Sequence, residues 1–408
     1  MRLIGNAPGF AAGTLNLVVA LALPLAIAAP LGLAPLLLAA ALFIVIGDGW
    51  PTRVHRRFAI ATAVLTVLVI WGTASALWSI DQDRSLSMAG RLLLTLLAGG
   101  ILIDKAIRLD RRARRRLAAS AAIGTAIGVG LLLSEALTGQ ALLRFGRALL
   151  DAREPTPVML NRAATVLALM IWPAAYALYR FGGAVLAIAF LVLGFGALTL
   201  LENTTAFLAG FLGFAAGLAA MAMPTPVRRA VIGASIVGVL AAPIGVSVLV
   251  GMESLHLKIK PSAVHRLMIW QFTVDRIDER PFLGWGLETA RELPGGQRDV
   301  TFKTREGEWT RQALPLHTHN AALQLRVELG ILGPILLALL IGGIGLALDR
   351  VESRVAHSAR LAFLVSVLAV SMASYGVWQF WWLAAVAVSL AALIGVGLPD
   401  PEETDTSD

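Results

Sequence analysis

The sequence of 408 residues contains no cysteine. This absence excludes disulfide bridges, thiolate nucleophiles and zinc sites that depend on cysteine. Charged residues are also scarce, at 15% of the chain against about 25% in an average soluble domain. No phosphate-binding loop of the GxxxxGKS or GxxxxGKT type is present, so nothing in the sequence supports nucleotide-driven chemistry.

Apolar residues, in contrast, make up 57% of the chain, above the roughly 45–50% of a soluble protein. Apolar runs of about 17–25 residues recur along almost the whole length, and each is long enough to cross a bilayer as a helix. The runs show no alternation with a period of two. The sequence therefore predicts an all-α polytopic membrane protein.

We predict twelve transmembrane helices from these runs. Their approximate positions are 14–29, 31–47, 58–77, 87–103, 117–136, 161–179, 183–200, 205–223, 230–250, 320–348, 361–377 and 380–397. The chain then divides into 1–250 with helices one to nine, a large loop region over 251–319, 320–398 with helices ten to twelve, and an acidic tail over 399–408.

The net charge of +8 comes mainly from basic residues in short loops such as "PTRVHRR", "DKAIRLDRRARRR" and "PTPVRR". Loops on the opposite side, such as "SIDQDRS", "LENTT" and "ASYGVWQF", carry little positive charge. Short cytoplasmic loops are enriched in Lys and Arg, so both termini are predicted to be cytoplasmic and the large loop external. Beside a span, the basic residues indicate contact with anionic membrane lipids rather than with nucleic acid.

The large loop contains "VHRLMIWQFTVDRI", whose apolar residues at 267, 270, 274 and 277 have helical spacing. An amphipathic helix is predicted there. The stretch "ERPFLGWGLETARELPGG" follows it, and its prolines and glycines predict turns.

Two of the six histidines stand where the loop ends, in "HTHNAALQLRVELG". Gly330 lies eleven positions after His319, three helical turns on, and returns to the same face, which Arg326 shares and Glu328 does not. An ionisable residue at membrane depth is a candidate functional residue. The simpler interpretation is that His319 and Asn320 cap the helix among the lipid headgroups.

On this His319–Gly330 spacing, together with "PFLGWGLETA" and "LWSIDQDRSL", the sequence resembles the O-antigen ligase family, within the wider group of O-antigen ligases and polymerases. The resemblance implies a metal-independent glycosyltransferase without a cofactor in the bacterial inner membrane. Its donor would be a glycan on undecaprenyl pyrophosphate, its acceptor lipid A–core, and its active site would face the periplasm.

The resemblance also implies three site residues, which are the histidine His319 and the arginines Arg162 and Arg266. Guanidinium groups bind phosphate oxygens in pairs and suit a diphosphate. Imidazole titrates near neutral pH and suits a general base that activates the acceptor hydroxyl, and direct attack would invert the anomeric carbon. His317 is the competing histidine; with Asn320 and Arg326 it is expected to support the site.

Carboxylates offer alternatives. Glu202 or Glu288 could act as the base instead of His319. Asp81 and Asp83 could bind a cation, although a solvated turn is the simpler interpretation, and no convincing metal site is predicted.

Three other functions stay open. A polymerase would transfer the glycan to a second lipid-linked glycan, and a protein O-oligosaccharyltransferase to Ser or Thr. Relatives of the last kind often carry an additional region after the histidine-bearing helix, whereas only two further spans follow here, which favours a ligase. A twelve-helix transporter or flippase is the alternative of another class, but its polar residues would lie near the midplane.

Overall fold

The computed structural model describes residues 9–51, 55–149, 155–252, 259–349 and 353–397. The predicted acidic tail, 399–408, lies outside the described residues. The helices are α1 Phe10–Ala28, α2 Leu33–Asp48, α3 Ala59–Ala74, α4 Gln82–Ile107, α5 Arg111–Leu137, α6 Ala141–Leu149, α7 Asn161–Leu200, α8 Thr204–Ala222, α9 Pro224–Leu240, α10 Ala242–Val250, α11 Pro261–Glu279, α12 Ala321–Leu329, α13 Leu332–Leu348, α14 Arg354–Ala373 and α15 Phe380–Gly397. Two strands, β1 Asp299–Thr304 and β2 Gly307–Gln312, complete the described elements.

The chain is a multi-pass helical membrane protein. Nine helices of the described part are long and apolar enough to cross a bilayer, or ten if α9 and α10, which are bent by 72° against each other, form one span. The predicted count of twelve is not confirmed. It assumes two spans within α7, where Gly182 and Gly183 have non-helical backbone angles, and it includes α13, a shorter apolar helix.

Small residues bring the helices of the bundle into close contact. A Cβ atom on Gly124 of α5 would lie only 2.3 Å from the carbonyl oxygen of Ala20 on α1. Bilayer lipids are as apolar as the helix surfaces, so packing at such short range is what holds helices together in a membrane. One polar bridge adds to it, since Trp172 Nε1 of α7 donates to Ser366 Oγ of α14 at 3.0 Å.

Residues 259–329, which we call the cap, lie at one end of the bundle. The amphipathic helix predicted over 264–277 is confirmed as α11, and Leu267, Val274 and Ile277 on its apolar face are buried. The sequence did not predict the antiparallel hairpin β1–β2, which pairs Asp299 with Gln312.

The helix predicted over 320–348 is broken in the structure. It consists of α12 and α13, with Gly330 between them at φ 64° and ψ −149°. His319 lies outside α12 at φ 54°. The prediction that His319, Arg326 and Gly330 share one helical face is therefore wrong, because an unbroken helix does not connect them.

Candidate active site

His319 lies at the centre of the candidate site and is held from two sides. Its ring nitrogen Nδ1 makes a hydrogen bond with the carbonyl oxygen of Ser374, in the loop between α14 and α15. A carbonyl oxygen only accepts, so Nδ1 carries the proton and the lone pair of a neutral ring is on Nε2. Trp270 Nε1 of α11 donates to the carbonyl oxygen of Thr318 at 2.8 Å. These two contacts fix both the ring and the preceding backbone.

His317 is the immediate neighbour of His319, and the two ring centroids are 4.1 Å apart. The backbone N–H of His319 donates to Nδ1 of His317 at 3.3 Å. In the neutral ring this bond leaves the proton of His317 on Nε2, which makes that nitrogen a donor. The two histidines therefore differ in role, because His319 offers a lone pair on Nε2 where His317 offers a proton.

Both rings are neutral at physiological pH. Burial lowers the pKa of His319 from its ordinary 6.5 to about 4, and the nearby Arg266 acts in the same direction while the bond to Ser374 opposes it. Burial also lowers the pKa of His317, to about 3, with His319 as the next cause. A neutral imidazole is the form that accepts a proton.

Arg266 approaches the histidine pair from α11, one helical turn before Trp270. Its charge acts on the pKa of both His317 and His319, which shows that it lies close to them. Burial lowers the pKa of Arg266 itself. Within the described ranges it forms no ion pair with a carboxylate. A half-buried guanidinium without a counter-ion is suited to bind an anion.

Arg162 reaches the same region from the first turn of α7 and lies over the ring of Trp381, 5.6 Å from its centroid. Tyr375 lies near both arginines, because the charge of Arg162 acts on the pKa of Tyr375 and Tyr375 in turn acts on the pKa of Arg266. The hydroxyl of Tyr375 also donates to the carbonyl oxygen of Asn161 at 3.2 Å. The structure therefore brings His319, Arg162 and Arg266 to one end of the bundle, as predicted.

Glu328 of α12 is the most highly connected carboxylate of the cap, and it is completely buried. Its two oxygens accept four hydrogen bonds. The donors are the backbone N–H groups of Glu288 (2.7 Å) and Ala290 (3.3 Å), Gln324 Nε2 (3.0 Å) and Trp378 Nε1 (2.5 Å). Glu328 thereby joins α12 to the cap loop on one side and to the 374–379 loop on the other. The helical face predicted for His319 and Arg326 excluded Glu328, so this residue was not predicted to lie near the site.

The stretch "PFLGWGLETA", residues 281–290, packs against the end of α12. The backbone N–H groups of Trp285 and Gly286 each donate at 2.9 Å to the carbonyl oxygens of Val327 and Glu328. A Cβ atom on Gly330 would lie 1.9 Å from the carbonyl oxygen of Phe282. Glycine at 330 therefore allows this approach as well as the positive φ.

The stretch "LWSIDQDRSL", residues 77–86, contacts the same part of the cap. Ser85 Oγ donates to the carbonyl oxygen of Leu287 at 2.8 Å, and Arg84 forms an ion pair with Glu292 at 2.9 Å. The three sequence stretches on which the resemblance rests thus meet at one place in the fold, directly behind the histidine pair.

Sequence comparisons show which known proteins the chain resembles. A family model described as O-antigen ligase matches residues 189–338, which include Arg266, His319 and Glu328. Three Rickettsia proteins, each named "putative polysaccharide ligase", are similar in sequence. The R. felis protein is 26% identical over 82% of this chain and 80% of its own length. The R. conorii protein is 35% identical over 32% of this chain and 31% of its own, and the R. prowazekii protein 29% identical over 55% of each.

The chain is similar to the O-antigen ligase family over residues 189–338. No solved structure matches it. Arg162 and the 374–379 loop lie outside the part of the chain that the family model matches, so their place beside His319 rests on the structure alone.

The remaining predicted site residues lie around this centre in different roles. Asn320 caps α12, since its side chain accepts from the N–H of Leu323 at 3.1 Å. Arg326 faces α11, where the charge of Asp278 acts on it, and its Nη1 is buried without a hydrogen-bond partner. Arg326 therefore does not extend the site from His319. Glu202 is exposed.

Two further carboxylates have structural partners. Asp81 caps α4 by accepting from the N–H of Arg84 at 3.0 Å and pairs with the Arg84 side chain. Burial raises the pKa of Glu288, with Arg291 opposing. No group of three or more metal-ligating side chains occurs in the described part of the chain.

Proposed function

We propose that this protein is a membrane glycosyltransferase that transfers a glycan from undecaprenyl pyrophosphate to a sugar hydroxyl of lipid A–core. The reaction takes place on the periplasmic face of the inner membrane, and both termini are cytoplasmic. The match of residues 189–338 to the O-antigen ligase family model and the similarity to proteins named as polysaccharide ligases support this proposal. The observation that carries it is a neutral imidazole, fixed by the Ser374 carbonyl, beside the guanidinium of Arg266, which forms no ion pair with a carboxylate among the described residues.

His319 acts as the general base. Its Nδ1–H stays bonded to the Ser374 carbonyl, which orients the ring and stabilises the positive charge that develops on it. The Nε2 lone pair takes the proton of the acceptor hydroxyl as the hydroxyl oxygen attacks the anomeric carbon. The bond from that carbon to the diphosphate oxygen breaks, and its electron pair leaves with undecaprenyl pyrophosphate. Attack opposite the leaving group inverts the anomeric carbon.

Arg162 and Arg266 bind the diphosphate. A guanidinium offers two parallel donors to phosphate oxygens, and such charge-assisted bonds are stronger than neutral ones. The negative charge on the leaving diphosphate grows as the bond breaks, so the two arginines stabilise the transition state more than the bound donor. Tyr375 lies near both guanidinium groups and is itself held by its hydrogen bond to the carbonyl oxygen of Asn161.

Purified protein in detergent, with a lipid-linked glycan and lipid A–core, tests this mechanism. His319→Ala should abolish transfer, whereas His317→Ala should reduce it only partly, because Nε2 of His317 carries a proton rather than a lone pair. Adding EDTA should change neither result. Near wild-type turnover of His319→Ala, or complete loss in His317→Ala alone, would contradict the assignment of the base.

Lysine substitutions test the two arginines. Arg162→Lys and Arg266→Lys keep the charge but lose the paired donors, and each should lower kcat/KM for the donor roughly 10- to 100-fold. Arg311→Lys is the matched control, since Arg311 lies on β2 and stacks on Trp309. Full activity of both site variants would mean that the two arginines only contact lipid headgroups and do not bind the diphosphate. Transfer to a second lipid-linked glycan rather than to lipid A–core would indicate a polymerase, and movement of the donor without transfer would indicate a flippase.

A further inference from the structure

Helix α6 presents an apolar face that no other described residue covers. The side chains of Leu142, Phe145 and Leu149 are exposed by 52%, 66% and 72%. At about 100° per residue they lie within about 60° of one another around the helix. Arg144 and Arg147 lie on the other side, and the helix contains no acidic residue. An apolar side opposite a basic side is typical of a helix that lies in the plane of a membrane surface.

Buried contacts hold the beginning of α6 against the bundle. Glu135, in the last turn of α5, is buried, and its two oxygens accept from the backbone N–H groups of Leu142 at 3.1 Å and Leu143 at 3.3 Å. A carboxylate stabilises this end of a helix because the first N–H groups have no acceptor within the helix. Gln140 Nε2 donates to the carbonyl oxygen of Thr156 at 3.2 Å, before α7. Contacts within the chain therefore set the direction of the apolar face.

The position of α6 relates this face to the membrane. The helix follows the last turn of α5 and precedes the first turn of α7, which contains Arg162, so it lies at the same end of the bundle as the candidate site. The helix α5 is long and apolar enough to span a bilayer. Its exposed residues Ile123, Ile127 and Leu137 lie within about 80° of one another and form a stripe along one face. On a spanning helix such a stripe faces the acyl chains of the lipids.

Membrane lipid is the partner that these observations favour for the apolar face. The stripe on α5 ends at Leu137, and Gly139 and Gln140, both with positive φ, then turn the chain into α6, so the apolar face begins where the lipid-facing stripe ends. At the boundary between acyl chains and headgroups, an amphipathic helix inserts its apolar face about 5–10 Å deep. Its basic side then lies at the level of the lipid phosphates, which attract positive charge.

We propose that α6 is an in-plane membrane helix, which inserts Leu142, Phe145 and Leu149 among the acyl chains of the leaflet at the candidate site's end of the bundle. The helix thereby anchors the connection between α5 and α7 at the membrane surface. This binding to lipid does not depend on the transfer reaction, and it assigns a partner to a segment that has no part in the proposed mechanism.

Fluorescence from single introduced thiols tests this placement, because the chain has no cysteine of its own. Leu142→Cys and Phe145→Cys on the apolar face, and Arg144→Cys on the other side, are each labelled with an NBD dye. The full-length protein is reconstituted in vesicles of phosphatidylethanolamine and phosphatidylglycerol. At the two apolar positions, emission should shift to shorter wavelength and be quenched by a nitroxide near the carbonyl end of the acyl chains. At the arginine position, iodide present on both sides of the membrane should quench the dye instead.

Two further exposed positions serve as references. Ile127→Cys on the α5 stripe reports the interior of the bilayer, and Lys303→Cys on β1 reports water. Equal quenching by iodide at all three α6 positions would overturn the proposal, since the apolar face would then lie in water. A dye at Phe145→Cys that neither iodide nor the nitroxide lipids quench would overturn it as well, because a second copy or another protein would then cover the face. No measurement needs turnover, so the result is independent of the proposed transfer reaction.

Discussion

Glu328→Gln is the sharpest test of how the site is held together. The carboxylate accepts four hydrogen bonds with two oxygens, so a carboxamide keeps two of them on its single oxygen. Its NH₂ group then faces the other two donors, which lose their acceptor inside the protein. A buried donor without a partner costs about 1–3 kcal/mol, so the loss amounts to roughly 2–6 kcal/mol.

Hydrogen exchange measures this loss where it acts. The amide protons of Glu288 and Ala290 are both donated to Glu328 and should be protected in the wild type. The Glu288 N–H donates to Oε2 and the Ala290 N–H to Oε1, so the carboxamide keeps one of these bonds and loses the other. Every 1.4 kcal/mol is a factor of ten, so exchange of the amide that loses its acceptor should accelerate by roughly 5-fold to 150-fold in the variant. Glycan transfer should fall as well, because the same carboxylate holds the 374–379 loop, in which Ser374 orients His319.

The control is Glu279→Gln at the end of α11, where the carboxylate is half-exposed and pairs with Arg276 at 2.7 Å. A surface ion pair contributes about 0–1 kcal/mol, so this variant should exchange like the wild type. Wild-type exchange of the Glu288 and Ala290 amides in Glu328→Gln would refute the reasoning, since it would mean that the buried carboxylate does not hold the cap loop.

Three further predictions concern pH, backbone and topology. Since the pKa of His319 is lowered to about 4, the ring stays neutral above that value, and transfer should persist down to about pH 5 and be lost only below it; a midpoint near 6.5 would contradict this. Gly330→Ala should lower the Tm because a Cβ atom would meet the Phe282 carbonyl oxygen at 1.9 Å, whereas Gly342→Ala, with its nearest atom at 3.9 Å, should not. The chain lacks cysteine, so a single introduced thiol can be labelled without background; Lys303→Cys should react with an impermeant maleimide in spheroplasts and Arg112→Cys only after permeabilisation, and the reverse pattern would overturn the proposed orientation.

Local features of the site followed from the sequence. The spacing of Leu267 and Val274 predicted α11, and Asn320 caps its helix as the simpler interpretation had it. The resemblance named the family whose model matches residues 189–338, and it selected Arg162, Arg266 and His319, which the structure brings to one end of the bundle. Their chemical roles stay predictions. The prediction that His319 and Arg326 share a helical face was wrong. It extended helical periodicity to His319, whose φ is positive.

The partners of these residues could not be predicted in the same way. Ser374, which orients His319, lies 55 positions away in the chain, and Glu328 is joined to Trp378 over 50 positions. A single sequence carries no signal for such pairs. Both partners lie in the 374–379 loop, which is short and uncharged. The hairpin β1–β2 was not predicted either. It lies in the large loop, where the sequence pattern indicated mainly turns.

Apolar runs by themselves determined that this chain enters a membrane, because a stretch of some 20 apolar residues has no favourable place in water and a helix satisfies its backbone in lipid. The amphipathic helix α11 was likewise determined by the sequence, because it depends only on the spacing of apolar residues along one segment. Only the tertiary structure decided which nitrogen of His319 is free and that Glu328 anchors two loops. These features depend on hydrogen bonds between segments far apart in the chain, and the packing of the bundle alone brings those segments together.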